Sequence, residues 1–231
     1  MKYLRKFETK AEQVAWRTSE EYVMPNVSLV ENVVNYNVSA LVLGVSIQHI
    51  DGSLYTVEQW TEKGFDNSEA NGVAYLDDDV KLVVAKTNVT DYSWADDTYN
   101  YESLEGVTVA ASGEDAVLDF SGRAHSELIA ANTIDSAALR CVNYIAPNGQ
   151  HGYLGAIGEW VRILRTTNIT EINNALALIG GEQIIITSTS VFYWSSTQAS
   201  TESKAWRTYK SSSSTQSKST TGKIRPFLPL E

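Results

Sequence analysis

Three histidines, one cysteine and 28 acidic residues are the groups in this chain that could carry a reaction. His49, His125 and His151 stand apart, without the i, i+4 pair or similar spacing that gathers imidazoles around a metal. Cys141 follows Ala137, Ala138 and Leu139 in an apolar run and reads as a packed small hydrophobe. Having no second cysteine, it can form neither an internal disulfide nor a thiolate cluster. Asp77, Asp78 and Asp79 are adjacent, whereas a calcium loop spaces its oxygen ligands so that they surround the ion, so an acidic turn is the better reading. Gly152, Gly155 and Gly158 recur every third residue, which matches neither a dinucleotide fingerprint nor a P-loop. No G-x-S-x-G elbow is present. With so many carboxylates some pair will be close by chance, and that carries no weight. No catalytic residue, cofactor or metal ligand is assigned, and an enzyme is not expected.

The chemistry the spacing does favour is recognition. Alternation along a strand through residues 204–209 sends Trp206 and Thr208 to one face, Arg207 and Tyr209 to the other. If Trp206 enters a core, Arg207 and Tyr209 face outward, and both are residue types favoured in binding hot spots. Around them Ser and Thr fill 16 of the 28 positions in residues 195–222, offering adaptable hydrogen bonds. Such a composition alone points to disorder. Trp194, Trp206 and Phe227 argue instead for a folded surface with a few inward anchors and freely variable outward positions.

The totals set bounds on the rest. A chain of 231 residues with 43% apolar content allows one or two domains and a real core. The formal charge of −10 disfavours nucleic acid, which needs a basic footprint. Residues 195–231 hold 6 basic and 2 acidic residues, net +4, leaving 12 basic and 26 acidic elsewhere, net −14. No apolar run approaches a membrane span, so membrane insertion is not expected. The charged first ten residues do not resemble a secretion signal, so synthesis in a bacterial cytoplasm is expected.

The elements that must position this surface follow from pattern. Residues 1–42 read as a small docking or assembly module, with a capping box at Thr9 and Glu12 opening a short helix and a strand starting at Val33-Val34. Residues 43–231 form the second domain. Strands are expected at residues 41–45, 54–57 and 81–85, and loop with short strands at 91–113. Helices are expected at 126–145, 157–164 and 169–179, the last stopped by Gly180-Gly181, and residues 184–186 start the last sheet region. Strands, then helices, then strands predict an α+β fold with mixed antiparallel sheets and two or three helices.

Several motifs carry a resemblance. Tyr193-Trp194-Ser195-Ser196-Thr197, then Ala205-Trp206, then Ile224-Arg225-Pro226-Phe227 resemble the C-terminal half of bacterial and phage C-type-lectin-like domains. They are similar in particular to variable proteins diversified by retroelements in gut anaerobes and their phages. Cys141-Val142-Asn143-Tyr144, Gly152-Tyr153-Leu154, Gly158-Glu159-Trp160 and Asn173-Asn174-Ala175-Leu176 extend the likeness over most of the last hundred residues. A weaker likeness reaches back to about Val45. The resemblance implies a C-type-lectin-like fold with structural anchors at Tyr193, Trp194, Ser195, Ser196, Trp206, Ile224, Arg225 and Phe227. It implies ligand-facing positions within about 195–224: Gln198, Ser200, Glu202, Lys204, Arg207, Tyr209, Lys210, Ser212, Ser214, Gln216, Lys218 and Thr220. The sequence departs from the family pattern at Gln198, where a Glu is usual, and at Gly155-Ala156, where Pro-Ser is common. Arg225 is expected in a structural ion pair with Glu159 as candidate partner. The implied function is host attachment by a phage or prophage particle, the partner a host cell-surface protein or glycan, the location the virion. Fibre proteins commonly form symmetric homotrimers. The alternatives are a bacterial interaction protein of fixed specificity and an oxidase of the formylglycine-generating type, which the single cysteine disfavours.

Overall fold

In chain order the strands are β1 (Gly44–His49), β2 (Leu54–Tyr55), β3 (Ala70–Leu76), β4 (Lys81–Ala85), β5 (Val89–Tyr92), β6 (Val109–Ala110), β7 (Tyr153–Leu154), β8 (Tyr193–Ala199), β9 (Lys204–Tyr209), β10 (Ser212–Ser217), β11 (Gly222–Ile224) and β12 (Pro226–Pro229). The helices are α1 (Val57–Lys63), α2 (Gly113–Ala116), α3 (Gly122–Asn132), α4 (Ala137–Val142), α5 (Ile157–Ile163) and α6 (Thr166–Leu178). This computed structural model describes residues 43–96, 99–185, 187–188, 190–210 and 212–230. The module expected over residues 1–42, with its Thr9 helix and Val33-Val34 strand, lies outside them.

The described residues form an α+β structure with two sheets. The first runs β2-β1-β3-β4-β12-β7, antiparallel throughout. The second runs β10-β9-β8-β11-β5, with β6 also paired to β8; β8 is parallel to β6 and β11 and antiparallel to β9. Because β11 belongs to one sheet and β12 to the other, residues 222–229 stitch them together. Arg225 sits at the crossing.

Among the described residues four apolar clusters result, two of them large. Ile47, Val73, Leu82 and Val84 of the first sheet pack with Trp160 of α5, Ile172 and Leu176 of α6, Tyr193 and Phe227. Trp194, Ala205 and Ile224 pack with Trp94, Ile129 of α3 and Ala138 and Cys141 of α4. Adjacent residues of β8 therefore serve different cores, Tyr193 one and Trp194 the other. The glycines at three-residue spacing act in close packing. A Cβ on Gly155 would lie 2.3 Å from the Phe227 ring, and one on Gly158 would lie 2.4 Å from the Asp119 carbonyl oxygen.

Some expected elements are differently bounded. The helix expected over 126–145 is two helices, broken where Thr133 takes extended geometry and Ser136 caps α4 by accepting the Leu139 N–H. The Thr133 hydroxyl stabilises that break, donating to Ile129 O at 2.7 Å and lying within hydrogen-bond distance of the Ser136 hydroxyl at 2.8 Å. The strand expected over 54–57 is only two residues long. Thr56 then opens α1 through a capping box with Gln59, a signal that the apolar alternation concealed. Residues 184 and 185 are not in a strand; Ile184 is tied instead to the side chain of Asn173 at 2.7 and 3.0 Å. Asp77 makes an acidic turn, its Oδ1 accepting the N–H groups of Asp79 and Val80 at 2.9 and 2.7 Å.

Candidate ligand-binding face

The face is made by β8, β9 and β10, and β9 sets its two sides. Trp206 and Thr208 are buried on one side; on the other, Arg207 and Tyr209 are half-buried and Ala205 is buried against the second core. Trp206 packs with Ala110, Ala116, Ile157 and Ala199 and donates its Nε1–H to Ala110 O at 3.1 Å. On the other side the Arg207 guanidinium lies over Phe192 at 4.6 Å and Tyr209 at 5.1 Å, and its Nε donates to Ser214 Oγ at 3.3 Å. A cation within reach of two aromatic rings is held in place without an ion pair. Arg207 is therefore presented in a defined orientation while remaining partly accessible.

Around this stacked centre the implied contact residues divide by exposure. Ser200, Glu202 and Lys204 are exposed at the β8–β9 end, Lys210 and Ser212 at the β9–β10 end. Ser214, Gln216 and Thr220 are half-buried, with Gln216 Nε2 donating to Thr220 Oγ1 at 3.0 Å. Lys210 has φ 52°, the left-handed geometry that closes the β9–β10 turn.

Gln198 and Lys218 are corrections. Both are fully buried, so neither faces a ligand. Gln198 holds the loop preceding β6: its Nε2 donates to Leu104 O and Val107 O at 2.9 and 3.3 Å, and its Oε1 accepts the Leu104 N–H at 2.8 Å. Lys218 Nζ donates to Gln198 Oε1 at 3.1 Å and Glu102 O at 2.5 Å, and lies 4.7 Å from the Trp94 ring centre. Burial lowers the Lys218 pKa to about 8, opposed by the nearby charge of Glu202. Polar side chains enter an interior when their donors and acceptors are met, which composition alone does not reveal.

The anchor residues are all buried. Tyr193 OH accepts the Ile185 N–H at 3.0 Å, and Trp194 Nε1 donates to Tyr92 O at 3.1 Å. Ser195 bridges strands by donating to Trp206 O at 2.7 Å, while its own carbonyl accepts Trp94 Nε1–H at 2.7 Å. Ile224 and Phe227 fill the two cores. Arg225 is structural, but its partners are not those expected. Its guanidinium donates to Asn88 Oδ1, Ala85 O and Glu182 O at 2.9, 2.7 and 2.8 Å. The Glu182 carboxylate reaches it through Asn88, whose Nδ2 donates to Glu182 Oε2 at 2.7 Å.

Glu159 belongs to a separate buried cluster beneath the face. Its Oε2 accepts the Ala156 N–H at 2.7 Å and its Oε1 meets Tyr153 OH at 3.2 Å. Burial raises its pKa to about 8 against those two hydrogen bonds. Next to it Thr197 donates to Asp119 Oδ2 at 2.7 Å. His125 Nδ1 lies 3.5 Å from Asp119 Oδ2 and 3.4 Å from Ser196 Oγ. A nucleophile relay needs the serine on one imidazole nitrogen and the carboxylate on the other. Here both address Nδ1, while Nε2 accepts the Thr108 N–H at 3.2 Å. The cluster therefore fastens α3, α5 and β8 together and does not form a serine–histidine relay. Its members come from four separate stretches of chain, and no sequence spacing announces them.

Cys141 is buried, and burial raises its thiol pKa well above the ordinary value. Among the described residues no group of three or more His, Cys, Asp or Glu could hold a metal ion, and no helix is long and apolar enough to cross a membrane. No protein-family model, curated protein or solved structure matches the chain.

Proposed function

We propose that this protein is a non-catalytic binding protein whose residues 43–231 form a C-type-lectin-like domain, displaying the β8–β10 face to a host cell-surface protein or glycan. The attachment apparatus of a phage or prophage particle is the setting this reading favours, with the virion as location and residues 1–42 as the docking module. The observation that carries it is the separation of tasks within one short stretch. Buried anchors and the Gln198–Lys218 lock hold the backbone, while the exposed turn residues are spared that duty and Arg207 and Tyr209 lie half-buried at the margin of the second core. A face built this way tolerates exchange of its outer side chains without loss of the fold. An Arg–aromatic centre ringed by Ser, Thr and Gln also has the composition of adaptable binding surfaces.

The test is a triple variant, Arg207→Gln, Tyr209→Ser and Lys210→Asn, the last chosen because Asn tolerates left-handed geometry. Binding to host cells should fall to background while the circular dichroism spectrum is unchanged. Undiminished binding by the folded variant would rule out this face.

A further inference from the structure

The outer strand of the proposed binding face is an open edge. β10 pairs with β9 through six consecutive residue pairs, from Ser212↔Tyr209 to Ser217↔Lys204, without a register shift, and has no second neighbour among the described residues. It contains no proline, charge or bulge, the devices that ordinarily keep a sheet edge from pairing again. In a two-residue hairpin the pair next to the turn exchanges both hydrogen bonds, and every second pair repeats this. The Lys218 N–H bond to Ser203 O at 2.9 Å continues that phase beyond the strand. The N–H groups of Ser213, Thr215 and Ser217 accordingly point away from β9, as do the Ser213 and Thr215 carbonyls. Ser217 O is taken by the Thr220 N–H at 3.0 Å; among the described residues the other five groups have no backbone partner. Lys204 and Lys210 stand exposed at the two ends of the hairpin, and neither is in an ion pair among the described residues.

We propose that β10 receives an extended, acidic polypeptide segment as an added strand. Main-chain hydrogen bonds would supply affinity, and carboxylates on the segment would face Lys204 and Lys210. This rests on the binding reading above and narrows the partner to protein. A second copy of the chain fits less well: outside residues 195–231 each copy carries 12 basic and 26 acidic residues, net −14, which opposes close self-approach.

The probe is the capped peptide Asp-Asp-Thr-Val-Thr-Val-Asp-Asp, added at millimolar concentration to the full chain, with amide hydrogen exchange read residue by residue by NMR. Exchange at Ser213, Thr215 and Ser217 should slow at least about tenfold. The same peptide N-methylated at each Thr and Val should have no effect, and one with Lys in place of Asp should act more weakly. Thr215→Pro removes an outward N–H without taking a bond from β9 and should cancel the slowing. Absence of slowing, or equal slowing by the N-methylated peptide, would overturn the added strand. Equal slowing by the Lys peptide would overturn its acidic character. Protection in the chain alone that grows with chain concentration would make the occupant a second copy. If the triple variant loses host binding while the peptide has no effect, the face stands and the added strand falls. If the variant keeps host binding, the face itself falls.

Discussion

Glu159→Gln should make this protein more stable at neutral pH, and by an amount that depends on pH in a defined direction. Glu159 is nearly inaccessible, and its pKa is raised to about 8, against 4.5 for an unhindered glutamate. Between those values the folded chain holds a proton that the unfolded chain has released. The contribution of this group is complete below about pH 4.5 and is lost as the pH rises towards 8, at about 1.4 kcal/mol per pH unit. From pH 5 to pH 7 the loss is about 2.5 kcal/mol. The glutamine variant is neutral throughout: its carbonyl oxygen can take over the Ala156 N–H and its amide can donate to Tyr153 OH. The gap between variant and parent should therefore open from near zero at pH 5 to about 2.5 kcal/mol at pH 7. Urea unfolding followed by tryptophan fluorescence at pH 5, 6 and 7 measures it. Taking the difference removes other titrations, including that of His125, whose pKa burial lowers against the pull of Asp119. A gap independent of pH would show that Glu159 is ionised in the fold and that the burial argument is wrong. A variant that fell behind the parent as pH rose would reverse its sign.

Lys218 titrates in the opposite sense. Its folded pKa of about 8 lies below the ordinary 10.5, so the unfolded chain binds the extra proton, and stability should climb by about 2 kcal/mol between pH 8 and pH 10. Lys218→Met should remove that slope in urea unfolding across the same window; an unchanged slope would assign it to another group. Trp206→Ala should cost about 3–5 kcal/mol, since a ring nearly all buried among Ala110, Ala116 and Ile157 leaves a cavity. An unaltered melting temperature would reverse the assignment of the two sides of β9.

What the sequence disclosed was governed by how locally each feature is encoded. The two sides of β9 follow from alternation, and the stops of α5 and α6 lie within a residue or two of the expected ends, because those signals occupy a few consecutive residues. Gln198 and Lys218 looked like surface because their partners, Glu102, Leu104 and Val107, belong to a loop without periodicity about a hundred residues away. Arg225 was rightly expected to be structural but paired with the wrong acid. Its partners are two carbonyls and an amide, and a carbonyl leaves no trace in residue type. The break at Thr133 was hidden because apolar spacing continues across it into α4.

The burial of Gln198 and Lys218 limits how far the binding face can vary. Any process that rewrites residues 195–224 indiscriminately meets two positions, one in β8 and one just past β10, where most replacements strand a lysine or a pair of carbonyls in the interior. A share of the resulting chains would fail before meeting a ligand. The usable repertoire is therefore smaller than a count of polar positions implies, and changes at 198 and 218 should survive mainly as matched pairs.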